Sequence, residues 1–597
     1  MITTENLAFT YEGDSAPVWQ HIDASFQSET FNLILGPSGC GKSTFLYALN
    51  GTVPGCYDGK LEGRVLLDGE EIAGTGPAGL SDRIGLVFQD PECQFCTFTV
   101  EDELAFGLEN RRVPPGEIGG RIDRALELVR MGEFRKAQIS ELSGGQKQKI
   151  AIACVLAMDP AVLLLDEPTA NLDGSSRRDI FSLLNRLCRE HGKTILLVEH
   201  NLDGILEYVD DLTVFDRAGC LRLQGPRREV IDRLLFEDSL ADVPVFLSQE
   251  LLVIRQWARA CRSRGTREAL RACFLGGTRD LAPLDAVLRP PSGDGPREER
   301  PRERGEEVLS LRGVNFSYGA EKRRGRRREE GTEPLLRAVD FQIFQGDFVA
   351  LLGENGAGKT TLLNVIFRAL AAQSGEIRLL GRPMDTYSRK ESYREMGLVF
   401  QNPEWQFVAN RVDEELQFSL RKSPLPEAEK DARVEAMLAQ FHLSELREKN
   451  PFSLSQGQKR RLSVSTMLLT GQRILFLDEP TYGQDFRQSR ELMDRIRALN
   501  AGGVTIVMVS HDMSLVAQYA RRVLVLHGGS VALDGTPDTL FADPSLMESA
   551  CLEMPPLFAW SRLLHERYAW IPVTGRMDVL LQSLIQSTKG GTEDVCV

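Results

Sequence analysis

The chain has 597 residues, a net charge of −14 at pH 7 and 42% hydrophobic residues. Since domains commonly hold about 100–200 residues, we expect three or four folded units with buried cores. The acidic balance argues against general nucleic-acid binding, because phosphates reward a basic surface. No apolar run reaches about 18 residues, and the N-terminus lacks a signal-peptide pattern. We therefore expect a cytosolic protein that meets a membrane only through partners.

The cysteines do not form a recognisable framework. There are 11, an odd number, and they are scattered along the chain. This distribution favours reduced thiols over disulfides. Cys93 and Cys96 have C-x-x-C spacing, but no second pair accompanies them. We therefore expect neither a zinc site nor a redox site at this pair.

The chain contains a long internal repeat, which is the strongest signal of its organisation. Six short motifs occur twice in the same order, and Gln401, for example, follows Gln89 by 312 residues. Chance does not keep six motifs in order at a nearly constant offset. The pairs are FTYEG and FSYGA, GPSGCGKST and GENGAGKTT, GLVFQDPECQF and GLVFQNPEWQF, LSGGQKQK and LSQGQKRR, LLLDEPTANLD and LFLDEPTYGQD, and LLVEH and VMVSH.

The repeat predicts two similar domains, a first at residues 1–232 and a second at residues 308–545. Between them, residues 233–307 read as a helical extension followed by a Pro-, Gly- and charge-rich linker. A tail covers residues 546–597. The second copy carries a basic insertion, residues 321–331, for which a solvated loop is favoured over contact with anionic lipid.

Each copy has a glycine-rich turn between an apolar strand and a helix. Such a turn brings backbone N–H groups and a helix N-terminus to phosphate oxygens. Lys42 and Lys359 are expected to reach the β- and γ-phosphates of ATP, and Ser43 and Thr360 to supply a hydroxyl to Mg²⁺. The predicted nucleotide-binding residues of these turns are Gly36, Ser38, Gly39, Gly41, Lys42, Ser43 and Thr44, and Gly353, Asn355, Gly356, Gly358, Lys359, Thr360 and Thr361.

Two carboxylates end an apolar strand in each copy. The strands AVLLLDEPT and ILFLDEPT suit the buried parallel sheet of an α/β fold. Asp166 and Asp478 are placed to hold Mg²⁺, and Glu167 and Glu479 to polarise the attacking water. General-base help of this kind is typically worth about 10²–10⁴ in rate.

Other polar residues end or follow apolar strands in both copies. His200 and His511 are expected to contact the γ-phosphate. Gln89 and Gln401 are expected to bind Mg²⁺ or position water, and to report the nucleotide state to a neighbour. These assignments add catalytic candidates beside the carboxylates.

An aromatic residue precedes each glycine-rich turn. Tyr11 and Tyr318 are candidates for stacking on adenine, worth about 1–3 kcal/mol by analogy with base stacking. The alternative is an ordinary aromatic residue of a strand. The sequence leaves both open.

The sequences LSGGQ and LSQGQ, together with these motifs, closely resemble the ABC ATPase family, whose signature they match. The resemblance implies two tandem P-loop domains of ABC type, each with an α/β core and a helical subdomain. It also implies that the signature of one domain closes over ATP held by the other. The signature residues carried over are Ser143, Gly144, Gly145 and Gln146, and Ser455, Gly457 and Gln458.

The second signature departs from the family pattern at Gln456, where glycine is usual. No essential group is lost by this change. We therefore expect two competent but unequal ATP sites.

Finer features resemble the ATPases of energy-coupling factor (ECF) transporters. Both copies continue as Q-x-P-x-x-Q-F, through Gln94-Phe95 and Gln406-Phe407, and the second reads EPTYGQD. The resemblance implies import of a vitamin or transition metal, with the chain at the cytoplasmic face of a prokaryotic membrane. Its partners would be a transmembrane T-component and a substrate-binding S-component. The segments TFTVEDELAFGLEN and VANRVDEELQFSL would contact the T-component.

Other ABC classes remain as alternatives. Tandem ATPases of sugar-type importers are close, but one of their halves is usually more degenerate. Ribosome-acting tandem ATPases would call for a charged hairpin between the domains and a basic surface. Repair and recycling ATPases would call for cysteine clusters, which are absent from the sequence.

Overall fold

The structure is a computed structural model. It describes residues 1–72, 74–170, 172, 174–199, 202, 204–240, 247–261, 263–275, 281–291, 305–318, 334–354, 356–481 and 486–588. The chain divides into two compact units, the first formed by Met1–Pro290 with Leu584–Val597, the second by Pro291–Ser583. The basic insertion 321–331 and most of the linker lie outside the described residues.

The first unit contains two sheets. A six-stranded sheet has the order β10-β9-β3-β8-β7-β6, parallel except at its edge strand β10, and a four-stranded antiparallel sheet has the order β2-β1-β4-β5. The strands are β1 (Ile2–Tyr11), β2 (Trp19–Phe26), β3 (Phe31–Leu35), β4 (Gly59–Leu67), β5 (Glu70–Glu71), β6 (Ile84–Val87), β7 (Val162–Asp166), β8 (Thr194–Val198), β9 (Asp211–Phe215) and β10 (Leu221–Pro226).

Helices cover and extend these sheets. Helices α4 to α6 form the helical part that follows β6. Helix α8 crosses the predicted boundary at residue 232, and α9 and α10 lie in the predicted helical extension. Among the described residues the α-helices are α1 (Lys42–Leu49), α2 (Thr52–Gly55), α3 (Pro77–Leu80), α4 (Val100–Asn110), α5 (Pro115–Leu128), α6 (Gly144–Leu156), α7 (Gly174–His191), α8 (Arg227–Phe236), α9 (Gln249–Ala260) and α10 (Arg264–Leu275).

The second unit repeats this arrangement. Its sheets have the orders β16-β17-β18-β13-β19-β20 and β12-β11-β14-β15. The strands are β11 (Glu307–Phe316), β12 (Leu336–Phe344), β13 (Phe348–Leu352), β14 (Ser374–Leu379), β15 (Arg382–Pro383), β16 (Met396–Val399), β17 (Ile474–Asp478), β18 (Thr505–Val509), β19 (Arg522–His527) and β20 (Ser530–Gly535).

The helices of the second half end in a tail that returns to the first unit. Thr588 accepts a hydrogen bond of 2.8 Å from the indole N–H of the buried Trp257. The described α-helices are α11 (Lys359–Ile366), α12 (Arg389–Glu395), α13 (Val412–Leu420), α14 (Glu427–Gln440), α15 (Gln456–Leu468), α16 (Phe486–Ala501), α17 (Met513–Tyr519), α18 (Pro537–Phe541), α19 (Pro544–Ser549), α20 (Pro556–Arg567) and α21 (Met577–Gln586).

The central strands explain why each large sheet forms. All five residues of β3, β7 and β8 are buried, and the same holds for β13, β17 and β18. Continuous apolar strands of this kind need helices on both faces, which is the environment of a parallel sheet. The predicted fold class, two tandem α/β domains with helical parts, is confirmed. Within the described residues, no helix is both long enough and apolar enough to cross a bilayer.

Candidate functional site

The turn between β3 and α1 needs a glycine at its last position. Gly41 has a φ of 91°, in the left-handed region that favours glycine. A Cβ there would lie 2.5 Å from a methyl of Val18 and 2.6 Å from the ring of Trp19. The Trp19 indole N–H also donates to the Gly41 carbonyl at 3.2 Å. The second strand of the chain therefore packs directly against the turn and fixes its path.

Both turn lysines fold back across their own turns. The Lys42 ammonium donates to the carbonyls of Gly36 and Pro37 at 2.8 and 3.0 Å. Lys359 makes the same two bonds, to residues six and five positions before it, at 2.8 and 2.9 Å. Each positive charge is thus held over a concave run of backbone at a helix N-terminus, which is the arrangement that binds phosphate.

In the first unit, two of the three side chains predicted to bind Mg²⁺ lie together. The Ser43 hydroxyl donates to the carboxylate of Asp166 at 3.0 Å, and Asp166 is only 3% exposed. Hydroxyl and carboxylate oxygens are the ligands that Mg²⁺ prefers. This donor set fits the ion, which would screen the phosphate charge. In the second unit Thr360 is exposed and Asp478 is 9% exposed at the end of β17.

Burial strongly affects the carboxyl group of Asp478 in the second unit. It raises the pKa of Asp478 to about 6 from an ordinary value of 3.8, and the neighbouring Glu479 adds to the rise. The positive charges of Lys359 and Arg460 oppose it. A carboxylate that is poorly solvated when charged gains more from a bound cation than an exposed one does.

The candidate catalytic glutamates share an unusual backbone. Glu167 and Glu479 have φ values of 46° and 49°, which is rare for residues other than glycine. The Gln89 side-chain amide donates to Glu167 at 3.0 Å, and the His511 ring nitrogen Nδ1 lies 3.0 Å from a carboxylate oxygen of Glu479. Strained backbone of this kind clusters at functional sites. The structure therefore joins each glutamate to a second predicted site residue.

Two predicted site residues lie outside the described residues. They are His200, expected at the γ-phosphate, and Asn355 of the second glycine-rich turn. Their assignment stays a sequence prediction. Gln401 is described and exposed, and its carbonyl accepts a hydrogen bond from Arg460 at 2.5 Å.

The two candidate adenine-stacking tyrosines are tied to the phosphate-loop helices. The Tyr11 hydroxyl is 2.9 Å from the Thr44 hydroxyl, and the Tyr318 hydroxyl is 3.1 Å from that of Thr361. Tyr318 is 59% exposed. The Tyr318 ring is thus tied to the helix after the turn and keeps an exposed surface, and its stacking on adenine stays a prediction.

Each signature begins a helix with a capping box. Ser143 caps α6, and the Gln146 side chain accepts from the Ser143 N–H at 2.9 Å. Ser455 and Gln458 repeat this at α15, at 3.0 Å. The caps present the remaining N–H groups of the helix N-terminus to an anion.

The second glycine of each signature lies close to a polar side chain of the helix that follows the acidic pair. A Cβ on Gly145 would lie 2.8 Å from the Ser176 hydroxyl, and one on Gly457 would meet the Gln488 side-chain oxygen, so a larger residue at either position would displace that side chain. Gln456 begins α15, so glutamine at this position is compatible with the helix.

We call residues 88–95 and 400–407 the glutamine loops. Sequence reasoning missed the carboxylates that anchor the segment after each loop. Glu103 accepts from the Thr97 N–H at 2.7 Å, and Glu415 accepts from the Ala409 N–H at 2.7 Å. Burial raises the pKa of the Glu415 carboxyl, which the Ala409 N–H bond lowers in turn. The signal was available, since the two glutamates recur at the offset of the repeat.

Large apolar side chains beside the glutamine loops are exposed. Phe98 is 88% exposed and Phe106 is 45% exposed in the first unit. Trp405, Val408 and Phe418 are 75%, 62% and 49% exposed in the second. We call these sets the first and second apolar faces. Grouped exposed aromatic residues commonly mark sites of protein interaction.

The chain is similar to known ATP-binding proteins over most of its length. The ABC transporter family model matches residues 19–170 and 336–482, which include both glycine-rich turns and both acidic pairs. A Bacillus subtilis protein named for HMP/thiamine import ATP binding, YkoD, is 37% identical over 95% of this chain and 97% of its own. The chain belongs to the ABC transporter family. It is an ATPase, and its two copies of the family domain bind ATP.

A second relative also matches along most of its length. An ABC transporter ATP-binding protein of Methanosarcina mazei is 36% identical over 93% of this chain and 92% of its own. Among solved structures, cbiO1 from Clostridium perfringens, part of the ABC transporter complex cbiONQ, is 29% identical over 44% of this chain and 99% of its own, with a TM-score of 0.37.

The raised pKa of Asp478 predicts a pH-dependent stability effect. In the unfolded chain this carboxyl ionises at 3.8, but in the folded protein at about 6. Folding therefore loses stability as pH rises between these values, of the order of 3 kcal/mol once both states are ionised. Asp478→Asn should raise the thermal midpoint of the nucleotide-free protein at pH 7.5, and raise it much less at pH 4.5.

Differential scanning calorimetry of the wild type and Asp478→Asn at the two pH values measures these thermal midpoints. Asp431→Asn, on the exposed side of α14, is the control and should change neither midpoint. A lower midpoint for Asp478→Asn at pH 7.5 would contradict the burial argument.

Proposed function

We propose that the chain is the energy-coupling ATPase subunit of an ABC importer of the ECF type. It would drive uptake of a vitamin or transition metal through separate membrane subunits. The observation that carries this is the pairing, in both units, of a complete set of ATP motifs with an exposed apolar face beside the glutamine loop. The near full-length similarity to a protein named for thiamine import supports the direction of transport.

ATP hydrolysis in each site depends on the side chains and backbone groups described for that site. The turn backbone and the lysine bind the phosphates, and Mg²⁺ held by the Ser43 hydroxyl and Asp166 would supply charge stabilisation. Glu167 polarises the attacking water, and Gln89 orients that carboxylate through its 3.0 Å bond. Glu479 has the corresponding role beside His511. The rate gain comes from positioning and from fixed charge.

We propose that the two ATPase domains act as a pair. The phosphate-loop residues of one domain and the capped signature helix of the other would both contact each ATP. Binding would then close the pair, and hydrolysis would reopen it. What supports this is the anion-binding geometry of both signature helices and the presence of both motif sets in one chain.

The apolar faces are proposed to receive helices of a transmembrane T-component, which in turn holds the S-component. This would place the chain at the cytoplasmic face of the membrane. The first face follows its glutamine loop directly, and the second begins inside its loop at Trp405. A change at the nucleotide therefore has a short path to the partner. Glu103 and Glu415 bond the backbone after each loop to the helix that follows it, so a movement of the loop would be passed to that helix.

The two sites are expected to hydrolyse ATP at unequal rates. Gln456 replaces the glycine of the other signature at one position. Glu167→Gln removes the general base of one site, and Glu479→Gln removes that of the other. Each substitution should lower the rate of ATP hydrolysis at the altered site by about 10²-fold or more. Single-turnover measurements should give different residual hydrolysis rates for the two variants. Identical residual rates would argue against unequal ATP sites.

Transport should require both phosphate loops. Lys42→Ala and Lys359→Ala each remove the charge that holds the phosphates in one site. Uptake by the reconstituted transporter should fall by at least about tenfold in either variant. Normal uptake in either single variant would contradict the two-site scheme.

The docking role predicts that the membrane partner can be lost without loss of ATP hydrolysis. Phe98→Ser together with Trp405→Ser should abolish co-purification of a small hydrophobic membrane protein, because such anchors dominate interface energies. Basal ATPase activity should persist. Tyr393→Ser, at an aromatic residue 45% exposed on α12, is the control and should keep the partner. Retained co-purification in the double variant, or co-sedimentation of the wild type with ribosomes, would contradict the importer proposal.

A further inference from the structure

In the second unit, one face of the signature helix α15 is bonded to the glutamine loop of the same unit. Lys459 forms an ion pair with Glu404 at 2.5 Å. Ser463 donates to the side-chain oxygen of Gln406 at 2.9 Å, and the Gln406 amide donates to Ser463 and to Thr466. Because these helix positions are three or four residues apart, they line one stripe of α15.

Arg460 is the centre of this stripe. It is 1% exposed, and its guanidinium donates to the carbonyls of both Phe400 and Gln401. A planar guanidinium can hold two neighbouring acceptors at once, which fixes both their distance and their orientation. The backbone at Gln401 is therefore attached to α15, the helix that Ser455 caps.

The first unit has different residues at most of these positions. At the places of Arg460, Ser463 and Thr466, 312 residues earlier, the sequence has Gln148, Ala151 and Cys154. Gln148 is 2% exposed, and its side-chain nitrogen has no hydrogen-bond partner among the described residues.

Gln94, which in the first glutamine loop matches Gln406, forms a different hydrogen bond. Gln94 accepts a hydrogen bond from the N–H of Phe88, within its own loop, at 3.3 Å. Lys147 and Glu92 form the ion pair that both units share. The first glutamine loop therefore has a weaker connection to its signature helix than the second.

We propose that Arg460 is a positioning residue that makes the second glutamine loop and the second signature helix move as one body. The first loop moves more independently of its own signature helix. This rests on the proposed roles of Gln401 and of the signatures in ATP hydrolysis. A change sensed by Gln401 at its own nucleotide would pass through Arg460 to Ser455, which serves the other site, while the reverse path through Gln148 is weak.

The same link reaches the second apolar face. Trp405 lies inside the loop held by Arg460 and Gln406, and it is 75% exposed. Movement of α15 would therefore be passed to a bound partner at this face more directly than movement of α6 at the first. The two halves would make unequal contributions to coupling even with two working ATP sites.

Reciprocal substitutions test this in the full chain. Arg460→Gln with Ser463→Ala and Thr466→Cys gives α15 the stripe of α6, with residues that the first unit already accommodates. Gln148→Arg with Ala151→Ser and Cys154→Thr gives α6 the stripe of α15. Arg473→Gln, a 65% exposed arginine outside both helices, is the matched control.

Hydrogen–deuterium exchange read by mass spectrometry reports on each loop. In the wild type, amides of residues 400–407 should exchange about tenfold more slowly than those of residues 88–95. The first set of substitutions should remove the difference without changing exchange in β17, and the second should slow exchange in residues 88–95. Equal exchange of both loops in the wild type, or no effect of the first set, would overturn the proposal.

Steady-state kinetics separates positioning from simple structural support. The first set should lower kcat several-fold and leave KM for ATP within about twofold, because Lys359 and Tyr318 are untouched. Arg460→Lys, which keeps the charge but loses the fork, should give an intermediate kcat. A raised KM with unchanged kcat would overturn the positioning role. An inactive wild type would instead refute the proposed function, and the exchange comparison would still stand on its own.

Discussion

The burial of parallel strands is the constraint on which the rest of the structure depends. In each unit, the strand before the glycine-rich turn and the strand before the acidic pair are buried along their whole length. Because parallel strands share one direction, their carboxyl ends meet at one edge of the sheet, where open α/β folds bind ligands. Groups far apart in sequence, such as Ser43 and Asp166, are brought within 3.0 Å in this way.

Much of this was readable from the sequence, because the decisive signals are local. An apolar run, a glycine-rich turn and a lysine close together along the chain predict the phosphate loop without any knowledge of long-range contacts. The same holds for the acidic pairs at the ends of β7 and β17. The repeat strengthened each assignment by showing it twice.

What the sequence did not reveal depends on pairing between distant segments. The bond from Arg460 to Phe400 joins residues 60 positions apart, and neither residue type by itself indicates it. The return of the tail to the first unit, through Thr588 and Trp257, spans 331 positions. Tyr11 could be placed near the nucleotide from the sequence, but its bond to Thr44 needed the register of β1 against its neighbours.

The two units keep the same frame but differ in how tightly its parts are joined. Each has a lysine across its turn, a glutamate with positive φ and a capped signature helix. The differences lie around these groups, in the polar stripe of α15 and in the third residue of each signature, Gly144 or Gln456. Retained chemistry with altered connections is what the proposal of two unequal routes from nucleotide to surface rests on.

The central claim is that one chain holds two ATP molecules in sites that both take part in turnover. It is tested most directly by the stoichiometry of MgATP bound to the variant carrying both Glu167→Gln and Glu479→Gln, measured by equilibrium dialysis with labelled nucleotide. The account predicts two ATP per chain, released only slowly on dilution. Saturation at a single ATP per chain would contradict it.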